Sequence, residues 1–325
     1  MALDPATDPA TAGIVGWSPD PAAAPGPDPA AEPEGFVVLA DGDVRLHFLD
    51  WGGTAVGTAE PAGSGAVLLL PGLLGPAWTW APVARRLSRS RHTVVADLRG
   101  QGLSDSPLHG YDPDTLAADA VAVAEGAGLL DGDSPIVLAG HGFGGIVAAG
   151  AAARLGVRCA GLVLVDGGFE RHEITTGIDA DEFLRGLDEP PEILRSMAAY
   201  LADRRGFDPA TWDADQERAA LDGVVETGAG HVVRAVRPFV VEAIVRAMFA
   251  HDPAPALAAV DAPVTALVAV GAGDAEARIA ELRRCGSARL AAARSPIRAT
   301  GFPDAHNLIR YRPAEVADAI LRVAG

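Results

Sequence analysis

The chain has 325 residues, long enough to bury a sizeable core, and its 26 Lys plus Arg against 43 Asp plus Glu leave a formal charge of −17. That acidic balance opposes phosphate backbones and anionic lipid surfaces, so neither nucleic acid nor membrane is expected as a partner. There is no lysine, which removes Schiff-base chemistry, and the two cysteines, Cys159 and Cys285, read as small buried residues rather than a disulfide framework. The start lacks a basic region followed by an apolar one, and no apolar run reaches the roughly 18 residues that span a bilayer. A soluble, cytoplasmic protein is expected.

Residues 1–34 are mostly Pro, Ala, Asp and Gly, with almost nothing to bury, and read as a flexible tail. Two short strands, 36–40 and 44–51, flank the turn signal Asp41-Gly42. A continuous apolar run at 67–70 suits a strand buried on both faces and leads into the loop Pro71-Gly72-Leu73-Leu74-Gly75. Trp78 and Trp80 then open a helix to about residue 89, with Val83 and Leu87 at helical spacing. Trp80 is expected to pack on the sheet, and Trp78 is open between packing and lining a pocket.

The next buried strand, 94–96, ends at Asp97 and Arg99, where an open α/β sheet gathers ligands, although bracing of loops is the simpler role for both. An amphipathic helix at 114–126 precedes residues 136–150, IVLAGHGFGGIVAAG, in which an apolar strand meets a Gly-rich turn and continues as a small-residue helix. A strand at 162–165 follows, ending at Asp166. Between 167 and 252 the alternation breaks into helical stretches near 192–201, 213–225 and 238–249 around the run Asp188-Glu189-Pro190-Pro191. It resumes with a strand at 264–270 closed by Gly271-Ala272-Gly273-Asp274, a weak strand, a loop with His306, and a last helix at 313–323. Strands alternating with helices imply α/β architecture, a mostly parallel central sheet flanked by helices.

Gly140-His141-Gly142-Phe143-Gly144 has the form of a GxSxG nucleophile elbow, with glycine in the central place. Around it, residues 41–52, 68–80, 94–107, 264–274 and 302–313 match in order the opening hairpin, oxyanion loop, DxRGxGxS segment, acid loop and histidine loop of the α/β-hydrolase superfamily. The chain resembles that family from about residue 36 to 325. The resemblance implies a core of 35–166 and 253–325, with 167–252 as an inserted helical cap domain. It also implies His306 and Asp274 as the catalytic pair. Asp166 is the rival acid, and the better match of the 271–274 loop favours Asp274. The backbone N–H groups of Leu73 and Phe143 become the oxyanion donors, although Pro71 stands where the family usually has histidine. His141 is expected beside the pair, with Trp78 and Asp97 as neighbours or pocket residues.

Gly142 carries no attacking atom, so an acyl-enzyme route is disfavoured: deletion of such a nucleophile costs on the order of 10⁶ in kcat. A His/Asp base facing oxyanion donors suits non-covalent chemistry. The favoured expectation is a cofactor-free, metal-free enzyme that abstracts a proton while a C–C bond of a large hydrophobic, polyketide-like substrate forms, breaks or cyclises. Hydrolysis by His-activated water and a binding-only protein are the alternatives. The apolar residues near 239–249 predict a closed, greasy cavity, and a homodimer is compatible with the sequence.

Overall fold

A computed structural model of the chain describes residues 32–40, 43–53, 65–188, 196–271 and 274–323. Most of the N-terminal tail, the Asp41-Gly42 turn, residues 189–195 and Ala272-Gly273 lie outside the described residues.

The chain opens with β1 (Glu34–Ala40) and β2 (Val44–Asp50), an antiparallel pair with Phe36 opposite Phe48. β3 (Val67–Leu70) is buried at every residue. A short 3₁₀ turn, Ala77–Trp80, leads into α1 (Ala81–Leu87), whose second residue, Pro82, suits a helix start because that N–H has no intrahelical acceptor. β4 (Thr93–Ala96), α2 (Pro113–Gly126), β5 (Ile136–His141), α3 (Phe143–Leu155) and β6 (Cys159–Val165) complete the first half. Asp112 caps α2 by accepting from the Thr115 N–H, which satisfies an otherwise unpaired donor.

The insertion after β6 contains α4 (His172–Thr176), α5 (Ala180–Asp188), α6 (Met197–Phe207), α7 (Ala214–Asp222), the hairpin strands β7 (Val224–Glu226) and β8 (Val232–Arg234), and α8 (Pro238–Ala250). Sequence periodicity carried the helix at 213–225 too far. α7 ends before Gly223, and the β-branched Val224 and Val225 pair with Arg234 and Val233 instead. The second half of the core is α9 (Pro253–Ala259), β9 (Val264–Ala269), α10 (Ala275–Ala291), β10 (Ile297–Phe302), α11 (Leu308–Tyr311) and α12 (Pro313–Val323).

The eight core strands lie in the order β1-β2-β4-β3-β5-β6-β9-β10, antiparallel for β1–β2 and β2–β4 and parallel elsewhere. Strand alternation divides the core. Leu68, Leu70, Ile136 and Leu138 face one layer with α2, α3 and α8, while Val67, Leu69, Val137 and Ala139 face the other with α1 and α12. Trp80, fully buried, belongs to the second layer, packed on the sheet as expected. From β3 the chain passes to β4 on one side, and from β5 to β6 on the other. Their connections diverge at the carboxyl ends of these neighbours, which is where an open α/β sheet leaves a crevice. The loop 71–75 and the elbow emerge there.

Candidate active site

At the elbow, β5 runs into α3 through Gly142 at φ 52° and ψ −119°, a conformation that side chains resist. A Cβ on Gly140 would stand 2.1 Å from the Gly144 carbonyl oxygen, so strand and helix can meet this closely only without one. The Gly142 N–H donates to the Val165 carbonyl at 2.9 Å, tying the turn to the end of β6. A Cβ on Gly142 would meet the His306 ring, 3.1 Å from Nε2 and 3.2 Å from Cε1.

His306 reaches this point from the loop after β10. Its Nδ1 lies 2.6 Å from Asp166 Oδ2. Asp166 is the residue after β6 and is 1% exposed; its other oxygen accepts from the Ala269 N–H at 2.7 Å and from Arg278 Nη2 at 2.7 Å. Burial by itself would raise this carboxyl, but the His306 hydrogen bond, the Arg278 cation and the Ala269 N–H together hold it below the usual carboxylate range. An ionised partner on Nδ1 fixes the N–H there and leaves Nε2 as the free base, directed at Gly142.

The expectation that Asp274 supplies the carboxylate is therefore corrected. Asp274 is exposed and caps α10, its Oδ1 accepting from the Ala277 N–H at 3.0 Å. The short polar residue before a helix was a capping signal rather than a site signal. The carboxylate that meets His306 is that of Asp166, one strand earlier.

Arg278, on α10, was not singled out in the sequence. Besides Asp166 it donates through Nη1 to the Ala269 carbonyl at 2.6 Å and through Nε to Glu170. Glu170 is buried, which raises its carboxyl above the ordinary value against the pull of Arg278. Beside it, the buried Cys285 thiol donates to the Phe169 carbonyl at 3.4 Å, and burial pushes that thiol up to about 12.

His141 does lie beside the pair. Its ring packs 4.6 Å from that of His306, and its Nε2 donates to the His306 carbonyl at 3.1 Å. Burial, with the nearby His306, lowers it to about 4, so it is neutral near pH 7 and serves as a donor that seats the histidine loop. His172, on α4, is also lowered to about 4 by burial and by the neighbouring His251, His306 and Arg278.

The loop after β3 lies against the elbow, with the Gly72 Cα 4.0 Å from the point where a Gly142 Cβ would stand. Leu74, at φ 65°, donates its N–H to the Gln101 side chain, and the Gly75 N–H donates to the Gly72 carbonyl at 3.1 Å. This pinned turn presents Leu73 next to Gly72. Phe143 is the first residue of α3, so its N–H has no acceptor within the helix.

Trp78 and Asp97 are not brought to His306. The Asp97 carboxylate lies 2.8 Å from His47 Nδ1 and accepts the N–H groups of Ala77 at 2.6 Å and Leu103 at 3.0 Å, a brace for two loops. Trp78 packs 5.5 Å from Trp51 and carries Arg218 over its ring at 4.4 Å. Both line a cavity of about 230 Å³ whose walls include neither Gly142 nor His306. The closed, greasy cavity expected over the site is also corrected among the described residues. Val240, Ile244, Val245 and Met248 of α8 are consumed by packing on the core, and the His306 side chain is 62% exposed. Among the described residues no three His, Cys, Asp or Glu side chains gather as a metal-holding group, and no helix is long and apolar enough to cross a membrane.

A mostly parallel sheet with a strand-turn-helix elbow at its switch point, faced by a His–Asp pair from two later loops, defines an enzyme class. The Alpha/beta hydrolase family matches residues 67–319, and the chain belongs to that family. It is similar to an N-formylmaleamate deformylase of Pseudomonas putida, 42% identical over 130 residues that cover 40% of this chain and 43% of that protein. A 2-(acetamidomethylene)succinate hydrolase of Mesorhizobium japonicum is 29% identical over 178 residues, 53% of this chain and 61% of that protein. The chain thus spans less than two thirds of the length of these curated relatives. A solved E-2-(acetamidomethylene)succinate hydrolase superposes with a TM-score of 0.69 at 21% identity, over 90% of this chain and 98% of that one, a likeness of fold.

These relatives are named as hydrolases, and that overturns the expectation of a lyase-like or cyclase-like enzyme making or breaking C–C bonds on a polyketide-like product. Hydrolysis, the alternative in the sequence reading, is what they favour.

Proposed function

We propose that the protein is a hydrolase in which His306, oriented by Asp166, deprotonates a water molecule that attacks an acyl carbonyl above Gly142, with no covalent intermediate. The observation that carries this reading is the free Nε2 of His306 directed at a glycine, with Nδ1 held by a buried carboxylate. The water oxygen bonds to the carbonyl carbon and its proton passes to Nε2. The oxyanion so formed is held by the N–H groups of Phe143 and Leu73. Collapse breaks the bond to the leaving group, which takes the proton back from the imidazolium, giving an acid and an amine or alcohol. The exposure of His306 gives water access, and His172 on α4 lies near enough to feel its charge.

Without a serine the barrier to attack is not divided into two smaller ones, so the route suits an electrophilic, unhindered acyl group. The formyl group in the name of the Pseudomonas relative is of that kind. The test uses N-formylmaleamate and p-nitrophenyl acetate in ¹⁸O water, with rapid-quench kinetics and intact-protein mass spectrometry. Turnover with ¹⁸O in the released acid, no burst, no acylated protein, and a loss of about 10²–10⁴ in His306→Ala are expected. An acyl adduct on any side chain, or full activity in His306→Ala, overturns the reading.

A further inference from the structure

We propose that Arg278 is a positioning residue for the base: its guanidinium locks the Asp166 carboxylate in the rotamer that holds His306. The proposal deepens the hydrolytic reading and rests on it for what the base then does.

Local structure delivers the side chain. Asp274 caps α10, and Arg278 follows one turn later, its N–H donating to the Asp274 carbonyl at 3.0 Å. Helix side chains lean towards the N-terminus, which here faces the carboxyl ends of β6 and β9. The guanidinium is 11% exposed, lies 5.7 Å over the Phe169 ring, and divides its donors among Asp166 Oδ1, the Ala269 carbonyl and Glu170. A planar fork of fixed donors suits this division in a way that a flexible ammonium would not.

One consequence follows for His306. With Oδ1 occupied by Arg278 and Ala269, the carboxylate cannot turn, and Oδ2 alone is presented to Nδ1 at 2.6 Å.

A purely mechanical role, fastening α10 to Ala269, would leave the titration of His306 unchanged. The full chain, labelled with ¹³C at histidine, is therefore titrated by NMR as wild type, Arg278→Met, Arg278→Lys and the double variant Glu170→Gln/Arg278→Met, with His306→Asn for assignment. In parallel, kcat/KM for p-nitrophenyl acetate is followed against pH. The double variant removes one charge of each sign, so the net charge beside His306 is that of the wild type and its titration reports the Asp166 contact alone. It is expected to bind the His306 proton about tenfold less tightly, with the acid limb of the profile moved to lower pH by the same factor and kcat reduced. Arg278→Lys, whose ammonium lacks the planar fork, shifts in the same direction by less. An unchanged His306 titration in the folded double variant, or in Arg278→Lys if the double variant does not fold, overturns the proposal. If the wild type hydrolyses no probe, the hydrolytic reading fails, while the NMR titration still decides the role of Arg278.

Discussion

His306 Nε2 stands 3.1 Å from the point that a Cβ on Gly142 would occupy, closer than side chains normally approach an imidazole. The ring has taken up part of the room that a serine would need, and the glycine is correspondingly at ease at φ 52°.

Installing the missing hydroxyl therefore has a cost and a chemical signature. Gly142→Ser is expected to lower stability by roughly 1–3 kcal/mol through backbone strain, with the imidazole displaced by a few tenths of an ångström. In exchange it places a nucleophile against the base. Reaction with p-nitrophenyl acetate should then show a burst and an acetylated protein, read by stopped flow and intact mass. A variant that folds yet never acylates would mean that the ring cannot retreat to accept a serine proton.

The two carboxylates compared for the acid role separate cleanly in their consequences. Asp166→Asn removes the ion that fixes the imidazole tautomer and should cost about 10⁴ in kcat. Asp274→Ala removes only a helix cap, costing about 1 kcal/mol of stability with kcat nearly unchanged. Steady-state kinetics paired with denaturant titration of the two variants checks both halves of the expectation.

Acid stability should report the link between the insertion and α10. Glu281 is buried and is held down to about 2 from 4.5, first by its hydrogen bonds with Arg171, against some desolvation, and then by Arg284. A folded-state value below the unfolded one means the contribution is complete above about 4.5 and is lost as pH falls through about 2. Glu281→Gln should therefore destabilise the protein by about 2–3 kcal/mol at pH 7, and the difference from wild type should vanish towards pH 2. Urea titrations at a series of pH values measure it.

The sheet and the elbow were legible because their signals are local. Val67 to Leu70 and Ile136 to Leu138 are apolar runs that only a doubly covered strand accommodates, and the glycines around position 142 mark a close strand-to-helix approach. The acid was not legible in that way. Asp274 and Asp166 both follow a buried strand, and what distinguishes them is contact with His306 and Arg278, 140 and 112 residues from Asp166. Asp97 was placed correctly at a strand end, but the loop that follows folds back so that its carboxylate meets Ala77 and Leu103. The β7–β8 hairpin was hidden because its two strands, of three residues each, are too short to show alternation.

Cys285 gives this architecture a built-in reporter. Its thiol is enclosed, reluctant to ionise, and hydrogen-bonded to Phe169, the residue next to Glu170. Alkylating reagents attack only the thiolate, so in the native state the sulfur should be silent. Its labelling rate then times how often the junction of α10 with the end of β6 comes apart, without any foreign dye on the protein.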